Sequence, residues 1–294
     1  MQNGKLGSYL NLHLIVFIWG FTAILGALIS INADALVWYR MLFAGAFLFL
    51  FILFRKKSFV VPPKEFFKLV LVGFLIAVHW IFFFKAIHIS NVSITLSVFS
   101  LGAFLAAILE PLFYGRKVLW YEVFFGLVII AGLGIILQVE MNYFEGMMYA
   151  LASIIIGVLF TLMNGKLIEK NDSSVITFYE FMAGVFFISI YFLFENKFTV
   201  EFFTLTSNDW ILLLILASVC TAYAFTASVK VMQKLSPYTI MLTTSLEPVY
   251  GIILAYFLLG GKEKMSFGFY MGALLIVVTV ILNGIVKHYF EDKE

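Results

Sequence analysis

Apolar residues along this chain gather into ten long runs separated by short polar links. A run of roughly 20 apolar residues is what a helix needs to cross a bilayer, and inside lipid the backbone must satisfy its own hydrogen bonds. The pattern therefore predicts an all-α integral membrane protein with ten transmembrane helices. The first five run from about Leu10 to Ile31, Ala35 to Phe54, Phe66 to Ile89, Val92 to Tyr114 and Val118 to Val139. The second five run from about Gly146 to Leu167, Ser174 to Phe194, Trp210 to Met232, Tyr238 to Gly260 and Phe267 to Val286. Only the links Arg55 to Glu65, punctuated by Pro62-Pro63, and Glu195 to Asp209 have room for an interfacial segment.

Composition agrees. The 294 residues are 63% hydrophobic and 12% charged, against roughly 25% charged in soluble domains, and nothing is left over for a soluble domain. A net charge of +2 without a basic face gives no case for nucleic-acid binding. The single cysteine, Cys220, has no internal disulfide partner. The first apolar run continues to Ile31 without a convincing cleavage site, so it reads as a retained span and not a signal peptide. Cytoplasmic loops carry the excess of Lys and Arg. Placing the N-terminus inside puts Lys5, Arg55 to Lys57, Lys64, Lys68, Arg116, Lys117, Lys166, Lys170, Lys230, Lys234, Lys287 and Lys293 on that side. Lys197, Lys262 and Lys264 fall outside, and Arg40 and Lys85 lie within helices. Both termini are expected to be cytoplasmic, in a cell inner (plasma) membrane.

The chain repeats itself. Sliding Ser90 to Lys117 forward by about 146 residues brings Ser90 onto Ser236, Ser93 onto Thr239, Leu96 onto Leu242, Gly115 onto Gly261 and Gly126 onto Gly272. The pairs Glu110-Pro111 and Glu247-Pro248 match only at a shift of about 137, so they are read as non-equivalent. In the earlier helices the shift is about 139, with Gly26, Leu28, Ile29 and Asn32 on Gly165, Leu167, Ile168 and Asn171. The halves are residues 1–140 and 141–294. Five helices per copy is an odd number, so the second copy enters the membrane upside down. Inverted repeats are a signature of secondary transporters, with the site near the midplane where the copies meet.

Several stretches carry a resemblance: Leu246-Glu247-Pro248-Val249, the LLGGKEKMS run from Leu258, Gly272 to Ile276, and in the first copy YGRKVLWYE from Tyr114 and GLVIIAGLGIIL from Gly126. With ten spans and inversion, the chain resembles the drug/metabolite transporter superfamily, in particular its EamA-type members with two five-helix repeats. It departs from the family pattern in having Gly261-Lys262-Glu263 after the ninth helix and no acid after Gly115 in the first copy. The resemblance implies movement of a small solute, often export of amino acids or metabolites, without naming the cargo.

Glu247 is the first candidate for chemistry, because an acid and a proline together in an apolar span call for protein or water around them and not lipid. At mid-depth it is a candidate carrier of a coupling proton; the plainer reading is a structural hydrogen-bond acceptor where Pro248 kinks the helix. Arg40 and Glu180 occupy nearly matching places in the two copies and would lie near opposite mouths of one path. Arg40 would suit a solute carboxylate through its planar donor fork, or it and Lys85 snorkel to headgroups. Glu110 is read as an ion-pair partner of Arg116 and Lys117. His79, beside Trp80 in mid-span, is a proton relay or a packing residue. Trp19, Tyr39, Trp80, Tyr179, Tyr223 and Tyr250 are candidates to line the cavity, and Ser97 and Thr243 to supply hydroxyls, although most aromatics of such a chain face lipid or its interface. No metal-ligand spacing and no cofactor motif is present.

The expected function is a secondary transporter moving a small metabolite, an amino acid or amphipathic solute, outward by alternating access. Its partners are the solute, the bilayer and a possible coupling ion; nothing in the sequence fixes an oligomeric state. With no Walker motif, ATP is not the direct driver. The competing readings are an intramembrane enzyme, for which no nucleophile and base or aspartate pair stands at matching depth, a passive channel, and a nucleotide-sugar carrier of the same superfamily.

Overall fold

A computed structural model describes residues 2–260 and 264–291, with side chains from Leu6 onward except residues 288, 290 and 291. Gly261, Lys262, Glu263, Lys293 and the side chain of Lys5, used above for register, motif or orientation, lie outside the described residues. Ten helical spans cross the molecule: α1 (Leu6–Leu28), α2 (Ala33–Phe54), α3 (Pro63–Ile89), α4 (Val92–Tyr114), α5 (Trp120–Val139), α6 (Met141–Leu167), α7 (Ser173–Phe194), α8 (Ser207–Val231), α9 (Pro237–Leu258) and α10 (Phe267–Lys287). There is no strand among the described residues. α4 is the most buried span and lies at the centre, whereas α5 and α10 are the least buried and pack together at the edge. The face at which α1 starts, where the links after α2, α4, α6 and α8 also lie, is called the basic face below.

The two copies are tied to each other by matching devices at opposite faces. α2 ends where Lys56 turns left-handed (φ 51°), and α7 ends where Asn196 does the same (φ 53°). The next residue in each case is a lysine that reaches into the other copy: Lys57 Nζ meets Asp172 at 2.8 Å before α7, and Lys197 Nζ meets Asp34 at 2.5 Å at the start of α2. Tyr39 donates to the Phe202 carbonyl at 2.9 Å, and Tyr179 donates to the Phe59 carbonyl at 2.8 Å. Arg40 and Glu180 occupy equivalent positions in this register. It is offset by about 140 residues, one more than the sequence matches indicated, because helix ends and not apolar identities fix it.

α4 and α9 are both broken. α4 runs as Val92–Phe99 and Gly102–Tyr114, and α9 as Pro237–Thr244 and Glu247–Leu258. Each begins with a side-chain cap, Asn91 accepting from Ile94 N and Ser236 from Thr239 N, and beyond each lies a left-handed glycine, Gly115 (φ 69°) and Gly260 (φ 63°). The shared offset is thus about 145, and the partner of Gly115 is Gly260 where the sequence pointed to Gly261. The breaks touch: Ser245 Oγ donates to the Ser100 carbonyl at 3.2 Å. The Glu247-Pro248 pair corrects a second expectation. Pro248 does not kink a continuous helix; it lies in the first turn of a new one, where its missing N–H costs no hydrogen bond. Glu110 stands far from an equivalent place, near the basic face.

Candidate functional site

Between the copies lies a cavity with about 80 Å³ open to the centres of water-sized molecules. One water needs about 10–15 Å³ on that measure, so there is room for several waters or a small solute. Its walls come from both copies. From mid-depth come Trp19, Arg40, His79, Trp80 and Glu247; toward the basic face come Asn164, Ser228, Met232 and Ile240, all within a turn of their span ends. On the opposite side the wall stops at Arg40, Phe83 and Phe99, well inside the spans. The cavity therefore leads from mid-membrane to the basic face.

Arg40 is 2% exposed and does not snorkel. Its guanidinium lies 3.8 Å from the Trp80 ring centre, a cation–π contact, and its Nε donates to Thr221 Oγ1 at 2.6 Å. Thr221 belongs to a π-helical stretch, Leu216–Tyr223, and passes its own proton to the Leu216 carbonyl five residues back. Such a local widening of a helix is frequent at functional sites; here it turns a hydroxyl oxygen toward the arginine. Arg40 Nη1 keeps no partner. Glu247 opens the second half of α9, so its carboxylate enters the cavity beside the N-terminal, partly positive end of a half-helix. Arg40 and Glu247 both line the cavity, and among the described residues they form no ion pair.

His79 is held from one side. Nδ1 lies 2.7 Å from the Ser153 carbonyl, and Ser153 Oγ donates to the His79 carbonyl at 2.7 Å. The carbonyl contact places the ring hydrogen on Nδ1. Phe99 and Phe160 flank the ring, and Gly157 lets it lie close, since a Cβ there would stand 3.0 Å from Cε1.

Of the residues picked from sequence, Trp19, Arg40, His79, Trp80 and Glu247 meet at the cavity. The other seven do not line it. Tyr39 stacks on Phe202 and is spent on the tie described above. Ser97 and Thr243 turn their hydroxyls back to the carbonyls of Ser93 and Thr239. Tyr223 is 48% exposed and lies on the surface of the bundle, not on the cavity wall. Tyr250 packs edge-on against Phe17, and the Cβ of Tyr250 would touch one added to Gly20. Glu180 is fully buried behind the wall, with Asn164 between it and the cavity. Tyr179, also picked, holds Phe59. Lys85 does not reach for headgroups but donates to Tyr149 OH at 2.7 Å. Glu110 pairs with Arg116 at 2.7 Å, and Arg116 also holds Glu122 at 2.8 Å. Burial alone would lower the Arg116 pKa, but these two carboxylates outweigh it and raise it. Asn164, Thr22, Thr244 and Ser228 were missed as wall residues.

The EamA-like transporter family matches the chain twice, over residues 7–138 and 144–285. No curated protein sequence matches it. A solved structure titled only "Crystal structure of protein" superposes with a TM-score of 0.71 over 98% of this chain and 99% of that one, at 15% identity; the two share a fold.

Proposed function

Because the chain belongs to the EamA-like transporter family, we propose that this transporter moves small zwitterionic solutes, amino acids foremost, through the cavity between Arg40 and Glu247 by alternating access. One observation carries the reading: a guanidinium with an unpartnered nitrogen and a carboxylate without an ion-pair partner line the same cavity from opposite copies. A zwitterion offers each its complement, carboxylate to Arg40 and ammonium to Glu247, and returns to two desolvated charges the partners they lack. Trp19, Phe83, Phe99 and Phe160 leave an apolar room for the side chain. With no second cation on the wall, a diphosphate cargo is poorly served. The basic face belongs to the cytoplasm by the distribution of Lys and Arg, so the cavity as it stands loads from inside, which suits export.

Proteoliposomes preloaded with a mixture of the proteinogenic amino acids test this. At least one neutral amino acid should show saturable counterflow. Arg40→Met should weaken its half-saturation by about 10- to 100-fold, the worth of a charge-assisted hydrogen bond of about 1.5–3 kcal/mol, while inhibition by the corresponding amine, which lacks the carboxylate, stays the same. Equal losses for acid and amine, or none for either, would remove Arg40 from carboxylate recognition.

A further inference from the structure

Glu180 stands in the second copy where Arg40 stands in the first, and its surroundings are of another kind. Its side chain is 0% exposed. Oε1 has no hydrogen-bond partner, and Oε2 meets only Asn164 Nδ2, at a long 3.5 Å. Asn164 Oδ1 is itself unpartnered, as is Thr177 Oγ1 one turn earlier on α7. The backbone carbonyl of Glu180 is pressed against Gly73 of α3, so the acid sits where two helices come nearly into backbone contact.

The neighbouring spans bring no counter-charge. α3 brings exposed Lys64 and the pair Lys68–Glu65 at the basic face, then His79, bonded to Ser153, and Lys85, bonded to Tyr149. α2 brings Arg40, whose guanidinium is turned to Thr221 and the Trp80 ring and lines the cavity. α6 brings Lys166, whose Nζ lies over the rings of Phe113 and Tyr114, and α8 brings Lys230 in its last turn at the basic face. None pairs with Glu180. A carboxylate with neither cation nor good donors is among the costliest groups to bury. A carboxylic acid is not. Which end of an Asn amide is oxygen is an assignment from the hydrogen-bond network, and with the Asn164 amide turned by half a rotation its carbonyl oxygen faces Glu180 Oε2 and accepts from it when that oxygen carries a proton, which gives the orphaned Asn164 Oδ1 a partner.

We propose that Glu180 is the proton-carrying group of this transporter, neutral in the state seen here, and that Asn164, which touches both the acid and the cavity, is the positioning residue through which the proton is exchanged. On discharge the O–H bond breaks, its electron pair stays on the carboxylate, and the proton passes to water in the cavity. Depth alone had pointed to Glu247 for this role, but Glu247 lines the cavity itself, where water or solute can partner its carboxylate, whereas Glu180 is sealed behind the wall. The transport arm of this inference rests on the carrier reading above; its spectroscopic arm does not.

Infrared spectra of the reconstituted protein at neutral pH, without solute, should contain the carbonyl stretch of a protonated carboxylic acid that is absent from Glu180→Gln. Glu180→Asp should keep such a band, and Asn164→Ala should shift the pH at which it titrates. In proteoliposomes, Glu180→Gln should retain amino-acid counterflow and lose accumulation driven by a pH gradient, with Glu180→Asp restoring part of it. Identical carboxylic-acid regions in the spectra of wild type and Glu180→Gln would overturn the proposal, as would pH-driven accumulation that survives the change to Gln. If wild type shows no counterflow with any amino acid, the cargo reading fails while the infrared band still decides Glu180.

Discussion

Replacing Gly73 by alanine puts one methyl group where α3 and α7 leave no space. A Cβ built there would lie 2.8 Å from the Ala183 Cβ and 3.0 Å from the Glu180 carbonyl carbon. Both obstacles are backbone or next to it, so neither can swing away. Non-bonded carbons rest at about 3.5–4.0 Å, so the helices must part by about 0.5–1 Å. Overpacking of this kind costs about 1–3 kcal/mol. At about 2–4 °C per kcal/mol for chains somewhat shorter than this one, the melting temperature should fall by about 3–10 °C. The chain supplies its own reporter, because Cys220 is its only cysteine and is buried, so a thiol-reactive dye in detergent fluoresces as the fold opens. Gly134→Ala is the control. Nothing lies within 4 Å of a Cβ at that position, and alanine improves helix propensity by up to about 1 kcal/mol, so its melting temperature should hold or rise. If Gly73→Ala melts with wild type, or Gly134→Ala falls as far, α3 and α7 are not in the contact described.

Two further outcomes follow. The lysine ties respond to pH from opposite sides. Burial alone would raise the Asp172 pKa, but hydrogen bonds from Lys57 and Ser174 outweigh it and lower it; its stabilisation is present above the ordinary carboxylate range and is lost as pH falls through the lowered value. Burial alone would lower the Lys197 pKa, but Asp34 and Tyr191 outweigh it and raise it; its stabilisation is present below the ordinary lysine range and is lost as pH rises through the raised value. Both ties are partly open to solvent, so each is worth less than about 1 kcal/mol. In melting curves Asp172→Asn should flatten the acid limb alone and Lys197→Met the alkaline limb alone; a swap of limbs would contradict the pairing. Tyr223→Ala should leave counterflow kinetics unchanged, since the ring is on the outer surface, and a raised half-saturation would place it in the path after all.

The ten spans were legible because a run of twenty apolar residues has one solution in lipid, and the helix ends agree within a few residues. Register was legible only to within one residue in both parts of the repeat. Leu, Ile and Gly recur so often that a slip by one costs few identities, whereas Lys56 and Asn196, or Gly115 and Gly260, fix it through a backbone angle that cannot slip. The charges Arg40 and Glu247 stood out because charge in an apolar run is rare. Tyr39 and Tyr250 did not separate from the many aromatics, since lining a cavity and tying a loop call for the same residue type. Asn164 was passed over because an uncharged amide three residues inside the end of a span carries no signal until the fold shows what it faces. Pro248 misled because sequence reveals a missing donor but not whether the helix has already stopped before it.

The reciprocal ties have a structural corollary. Each half lends a lysine and a tyrosine hydroxyl to the other and receives the same in return, so what joins the halves is non-covalent and mutual, in the manner of a two-fold dimer whose subunits happen to be head to tail. The linker between Val139 and Met141 adds one tie of its own, Glu140 accepting from Ser266 N at 3.1 Å, a bond that does not depend on an unbroken chain. A chain nicked there should remain a single body, and the fold is in effect a pair of antiparallel protomers written as one polypeptide.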